Sequence, residues 1–238
     1  MNRFRTLVLS TVIGSSLASS MAAPVGAADT TGTLAIVNGI PGTRVDVCLN
    51  GKELASRLAY GGKILRDVVA IGSKDLKFFR PDPRTCRGTQ VARKQFSLAA
   101  AQDFTIVVTK TAPKVLVFDN VFMGEIPPAG TPFSESIVAY HSAAEFATNF
   151  KRRIFAPQPE APVDPVAFSI WLEGDGSAEI VSPDRFVRVR ATLPEASGDV
   201  ASTSLLTQAS RRYEVILVGT AAANARFVAF GRLVSSPT

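Results

Sequence analysis

Residues 34–52, LAIVNGIPGTRVDVCLNGK, constrain the fold more than any other stretch of the chain. Two short apolar runs, residues 34–37 and 45–49, are separated by Gly39-Ile40-Pro41-Gly42 and closed by Asn50-Gly51, which reads as strand, turn, strand, tight turn. Val45, Val47 and Leu49 alternate with Asp46, Cys48 and Asn50, so one side of the second strand is expected to face a core. This hairpin is expected to open a β-sandwich.

The same grammar continues downstream. Residues 53–60 read as a short strand or loop, and residues 64–71 and 76–80 as strands split by Gly72-Ser73-Lys74-Asp75. Pro81-Asp82-Pro83 stops the second of these, because proline cannot donate to a ladder. With residues 95–98, 104–109 and 115–119 this makes roughly seven or eight strands in about ninety residues, the density of an immunoglobulin-like sandwich. Residues 122–135, rich in proline and glycine, read as a linker.

Beyond it the pattern starts again. Residues 137–141 repeat the character of 34–38, and 168–174 that of 45–51 with Trp171 in the place of Cys48. Residues 213–218 echo 104–109, and 227–230 echo 115–118. Four matches in one order argue for a duplicated unit. The expected fold is therefore all-β, with two tandem immunoglobulin-like β-sandwich domains at residues 28–121 and 136–238. Residues 146–165 are expected to be an insertion in the second copy, its FATNFKRRIF part a short helix or an extra strand and its APQPEAPVDP part extended.

Residues 1–27 have the zones of an export signal: Arg3 and Arg5, an apolar run over 7–13 continuing to Ala18, then small residues before a cut near Ala27 or Ala28. The apolar run is too short and too interrupted for a spanning helix, no cysteine near the cut offers a lipid anchor, and the mature chain is expected to be released. Removing Arg3 and Arg5 leaves 24 basic against 20 acidic residues, a net charge of +4. So small an excess does not call for a nucleic-acid partner, which would want cations gathered in a dense patch. In an oxidising compartment the economical fate of Cys48 and Cys86, the two cysteines of the chain, is a mutual disulfide, which on the loop-entropy model would contribute about 4 kcal/mol. Two buried free thiols are the alternative.

Ile36-Val37-Asn38-Gly39-Ile40-Pro41, Val45-Asp46-Val47-Cys48-Leu49-Asn50-Gly51-Lys52, Leu58-Ala59-Tyr60-Gly61 and Asp103-Phe104-Thr105-Ile106-Val107-Val108 together resemble bacterial secreted proteins of domain-of-unknown-function family 4397. The resemblance covers residues 34–120 well and 137–233 more faintly. Asn38 replaces the histidine that often follows the family's first strand, His141 holds that place in the second copy, and the second copy has no Leu-Ala-Tyr-Gly segment. The resemblance implies an exported β-sandwich at the envelope or outside the cell, with no assigned chemistry and no catalytic residues to carry over.

Few residues suggest a site. Glu173, Asp175 and Glu179 alternate with glycines in EGDGSAE and could offer oxygens to a hard cation, although the full calcium-loop pattern is absent and Gly174-Asp175-Gly176 also suits a hairpin turn. Lys151-Arg152-Arg153 is the densest basic run of the mature chain, either a contact for an anionic polymer or headgroup or a solvated face. His141 lacks a nucleophile or orienting partner at any telling spacing. Asp164 and Asp184 could be read as a carboxylate pair, and Tyr140 and Trp171 as sugar-stacking rings, but alternation places both rings in the core. No phosphate-cradling loop, zinc spacing or nucleotide fingerprint calls for a cofactor. The expectation is an exported, non-catalytic binding or structural module of the envelope or exterior, with an unnamed partner and no oligomeric state implied. Its rivals are a secreted carbohydrate-active protein or hydrolase using loop carboxylates, and a calcium-stabilised adhesion module.

Overall fold

A computed structural model describes residues 30–84, 86–100, 102–112, 114–120, 135–155, 166–195 and 198–233. The expected leader and residues 122–134 of the expected linker lie outside them. Among the described residues the first half contains β1 (Thr31–Asn38), β2 (Val45–Leu49), β3 (Lys52–Leu58), β4 (Lys63–Ala70), β5 (Gly72–Phe79), β6 (Gln90–Leu98), β7 (Asp103–Val108) and β8 (Val115–Asp119). The second half contains β9 (Ser136–Ala144), β10 (Thr148–Phe155), β11 (Val166–Trp171), β12 (Gly176–Val181), β13 (Phe186–Thr192), β14 (Asp199–Leu206), β15 (Arg211–Gly219) and β16 (Arg226–Leu233). A single turn of 3-10 helix at Ala222–Asn224 precedes β16, and no helix of the described residues is long and apolar enough to cross a membrane.

Four four-stranded sheets result, in the orders β4-β1-β7-β8, β3-β2-β5-β6, β12-β9-β15-β16 and β11-β10-β13-β14. The halves match strand for strand. β1 runs parallel to β7 as β9 runs parallel to β15, and every other pairing is antiparallel in both halves. In each half the alternate residues of two sheets close on one another. Leu34, Ile36, Val47, Phe78 and Ile106 meet in the first core, and Val138, Tyr140, Phe150, Val189 and Leu217 in the second.

The topology corrects part of the expected alignment of the two copies. The counterpart of β2 is β10, so residues 148–155 are a central strand of the second sandwich and not part of an insertion. The Trp171 strand, β11, corresponds to β3 and not to the Cys48 strand. Residues 156–165, the remainder of the expected insertion, lie outside the described residues. Gly72-Ser73-Lys74-Asp75, expected as a turn, begins β5.

A second correction concerns register. In β1 the residues turned into the first core are Leu34 and Ile36, which puts Asn38 on the core side; in β9 they are Val138 and Tyr140, which puts His141 on the opposite side. Asn38 and His141 therefore do not hold equivalent places, because a slip of one residue exchanges the faces of a strand. Asn38 is fully buried, donates from Nδ2 to the carbonyls of Thr43 (2.8 Å) and Leu58 (2.9 Å), and accepts from the Ile40 amide (3.0 Å). It ties the β1–β2 loop to the end of β3.

The opposite faces of the two parallel-containing sheets pack against each other. Ala35, Val37, Val107 and Phe118 of the first half meet Ala143, Ile216, Val218, Val228 and Phe230 of the second in a third apolar cluster. The molecule is thus a stack of four sheets, with β4-β1-β7-β8 and β12-β9-β15-β16 as the inner pair. Strands buried on both faces should carry apolar runs without alternation, as residues 137–140 of β9, buried from end to end, and 215–218 of β15, with eight of nine residues buried, do.

Candidate functional site

With the inner sheets covering each other, the stack leaves two broad faces, the outer sides of β3-β2-β5-β6 and of β11-β10-β13-β14. They differ in charge. On the first, Asp75 accepts from Arg93 (2.7 and 3.1 Å) and lies 3.1 Å from Lys77. Asp46 accepts from the amides of Arg57 (2.7 Å) and Asp82 (3.1 Å). Cys48, pointing the same way, is bonded to Cys86, with Cα atoms 5.9 Å apart. The disulfide clips the turn at Cys86 over this side of the sheet.

The other outer face is basic. In β10, Phe150 and Ile154 turn inward onto the second core while Lys151 and Arg153 are exposed. In β13, Val187, Val189 and Ala191 turn inward while Arg188 and Arg190 are exposed. The ladder sets Lys151 directly opposite Arg190 and Arg153 directly opposite Arg188. Four cations therefore occupy adjacent corners of one sheet face, about 5 Å apart across the strands and about 7 Å apart along them. β11 contains no charged residue, and β14 contributes Asp199, which accepts from Arg190 at 2.6 Å. Beside the cations Phe186 lies opposite Leu206, and both keep 43% of their surface exposed.

Of the basic run 151–153, then, the strand pleat sends two members out and one in. Arg152 reaches the Glu179 carboxylate, which also accepts from the Tyr140 hydroxyl at 2.5 Å. Burial raises the Glu179 carboxyl above its ordinary value against the pull of Tyr140 and Arg152. Burial, then the Glu179 charge, raise the Tyr140 phenol strongly. This group closes one side of the second core.

The acidic turn is built differently from a cation loop. Gly174 takes a positive φ of 96°, the Leu172 amide donates to Asp175 Oδ2 (2.6 Å), and the Gly174 amide donates to the Ser142 carbonyl (2.8 Å). Asp175 is spent on its own turn, Glu179 on Tyr140 and Arg152, and Glu173 stands near Glu145, whose charge together with burial, the larger cause, raises the Glu173 carboxyl. Glu145 in turn accepts from the amides of Lys110 (2.7 Å) and Thr111 (2.9 Å), joining the two halves. Among the described residues no three His, Cys, Asp or Glu side chains gather as metal ligands. Asp184 lies in the turn before β13 and Asp164 outside the described residues. Trp171 stacks on Phe150 at 4.4 Å inside the second core, where Tyr140 is also fully buried.

Between the inner sheets lies a polar group that no local motif announces. Glu214, fully buried, accepts from Arg212 (2.6 Å), Arg232 (2.9 Å) and Thr105. Asp103 pairs with Arg212 and, at 3.2 Å, with Arg232. Burial would raise the Glu214 carboxyl, but the two guanidiniums lead the opposing causes and hold it below its ordinary value. His141 stacks on Phe118 at 4.4 Å, and burial lowers its pKa to about 4. The hydroxyl of Tyr60, from the Leu-Ala-Tyr-Gly segment, lies within reach of the carbonyls of Val218 (3.1 Å) and Asn224, and its ring lies 4.5 Å from the Arg226 guanidinium.

No protein-family model matches the chain, and no curated protein matches it. Among solved structures it is similar to a protein from Bacteroides uniformis provisionally described as a cell adhesion protein, at 10% identity and a TM-score of 0.31, over 87% of this chain and 98% of that one. A protein of the same provisional description from Bacteroides ovatus matches at 9% identity and a TM-score of 0.27, over 84% and 95% of the two chains. The Bacillus anthracis TIE protein matches at 9% identity and a TM-score of 0.27, over 83% of this chain but 34% of its own. These likenesses are too distant to assign a role.

Sequence reasoning singled out Lys151 and Arg153 but missed Arg188 and Arg190. The signal was present: in FVRVRAT arginine alternates with the apolar Val187, Val189 and Ala191, which marks a strand with one buried and one basic face. What sequence could not supply was the pairing partner.

Proposed function

We propose that this chain is an exported, non-catalytic binding or structural module of the cell envelope or exterior, made of two sandwich domains joined through residues 122–135. The resemblance of residues 34–120 to family 4397 forms part of that reading. The observation that carries it is the outer face of β11-β10-β13-β14, whose four strands set one carboxylate, Asp199, beside Lys151, Arg153, Arg188 and Arg190. Like charges placed directly opposite each other weaken a sheet, and this sheet sets Lys151 opposite Arg190 and Arg153 opposite Arg188 with Asp199 relieving Arg190, where on the other outer face Asp75 bridges the facing Lys77 and Arg93. Charges that work against folding on a rigid scaffold point to binding. The supporting frame is stiff, because the inner sheets are locked by an apolar cluster and a buried ion group. The test is to incubate the purified protein with envelope fractions and isolated polysaccharides, sediment, and assay the pellet. Cosedimentation with at least one fraction is expected, and none with any would overturn the reading.

A further inference from the structure

We infer that the outer face of β11-β10-β13-β14 binds an acidic polysaccharide, laid across Lys151, Arg153, Arg188 and Arg190 with sugar rings against Phe186 and Leu206. The inference rests on the binding-module reading and names its ligand class. A flat sheet face cannot enclose a small molecule, and a single carboxylate could engage only a fraction of four cations set at the corners of a rectangle. An extended chain bearing repeated anionic groups can engage all of them. Three of the four are arginines, whose planar forks match carboxylate and sulfate in a bidentate fashion. Asp199 bonds Arg190 at 2.6 Å, which fixes one guanidinium in place while leaving the face net positive.

The apolar pair favours a sugar over other polyanions. Phe186 and Leu206 face each other at the end of the two strands that carry and flank Arg188, and both are substantially exposed. An aromatic ring at the level of a sheet surface offers a flat platform to the C–H face of a pyranose. Ser202 opposite Arg190 and Ser204 opposite Arg188 add hydroxyls along the same row. A membrane surface would call for an apolar element that projects beyond the charges, and here Phe186 and Leu206 belong to the same strands and the same face as Arg188 and Ser204.

The test uses the purified protein, polygalacturonate as the acidic probe, neutral dextran, phosphatidylglycerol vesicles and a single-stranded oligonucleotide. Polygalacturonate is expected to bind, with log K falling against log salt at a slope of about 3, as four neutralised charges imply. Arg153→Glu with Arg188→Glu should weaken binding by more than about tenfold, whereas Lys52→Glu with Arg57→Glu, an equal charge change at exposed positions of β3, should not. Phe186→Ser should weaken polygalacturonate binding and leave the salt slope unchanged. Thermal melting of each variant checks that it is folded, and Arg153→Ser with Arg188→Ser serves if the reversal fails to fold. Equal binding to dextran, stronger binding to vesicles or to the oligonucleotide, or indifference to the Arg153 and Arg188 changes would each overturn the inference. If envelope material still sediments the protein while polygalacturonate does not bind, the ligand class falls and the binding-module reading stands.

Discussion

His141 shows how much one residue's chemistry depends on which side of a strand it occupies. It faces Phe118 of β8, the carboxylate of Glu214 on β15 and Gly176 of β12, where an added Cβ would come within 3.0 Å of Nδ1. Burial depresses its pKa to about 4, and the charge of Glu214 only partly opposes this. A histidine held neutral by the fold binds its proton more readily when unfolded, so its contribution is intact above its ordinary value and is lost as the pH falls toward about 4. The loss across that window is about 3 kcal/mol. Glu173 and Glu179, raised by burial, act with the opposite sign just above the ordinary carboxylate range. The diagnostic is therefore the difference between wild type and His141→Phe, which keeps the stack on Phe118. In urea titrations from neutral pH down to acid the variant should lose less stability than wild type, and parallel curves would show that His141 titrates alike in the folded and unfolded states. Cys48→Ser, at the other end of the molecule, should cost about 4 kcal/mol on the loop-entropy model and leave one titratable thiol at Cys86.

At the scale of elements, the strands that sequence revealed most plainly are those with period-two alternation and a turn on each side. β2 is read from Val45, Val47 and Leu49 and from Asn50-Gly51, both of which take positive φ. β10 was misread because its alternation is corrupted: Arg152 points inward, so Phe150, Arg152 and Ile154 form the inner row and Lys-Arg-Arg looks like one block. The inward arginine is tolerated because Glu179 meets it, a partner more than twenty residues away that no local pattern indicates. The candidate site suffered the same way, since half of it comes from β13 and is joined to β10 by register alone. The cross-strand cations make a prediction about stability. Arg188→Ser should raise the free energy of unfolding by roughly 0.2–1 kcal/mol in low salt, read in urea titrations, because it removes a like-charge pair with Arg153. The gain should shrink in high salt, where exposed charges are screened. Destabilisation at low salt would show that the face is not frustrated, and would remove the observation on which the proposed function stands.

For the whole molecule the decisive contact is between the two sandwiches. The runs Ile137-Val138-Ala139-Tyr140 and Val215-Ile216-Leu217-Val218 are apolar without alternation, which in an antiparallel sandwich with one wet face would be anomalous. That anomaly is the sequence trace of the four-sheet stack. The charges inside the contact were illegible for the opposite reason, since Arg212, Glu214 and Arg232 look in sequence like any solvated positions. Their group is balanced, two acids against two guanidiniums, and each carboxylate is shared by both arginines. Burying such a group is costly, and its net contribution beyond apolar packing is small, but removing one member leaves the others buried and uncompensated. Glu214→Gln should therefore cost about 3–5 kcal/mol, with little relief from added salt because the site is shielded from solvent. Asp103→Asn should also destabilise, and the double variant should depart from the sum of the two because both acids serve the same arginines. Trp171 lies in the second core, so its fluorescence reports that sandwich while far-ultraviolet circular dichroism reports both. In wild type the two signals should unfold together across one urea transition, and in Glu214→Gln they should separate as the sandwiches lose their mutual support. A variant that unfolds at the wild-type midpoint, with both signals still coincident, would mean that the apolar cluster around Val37, Val107 and Ile216 holds the stack without the ion group.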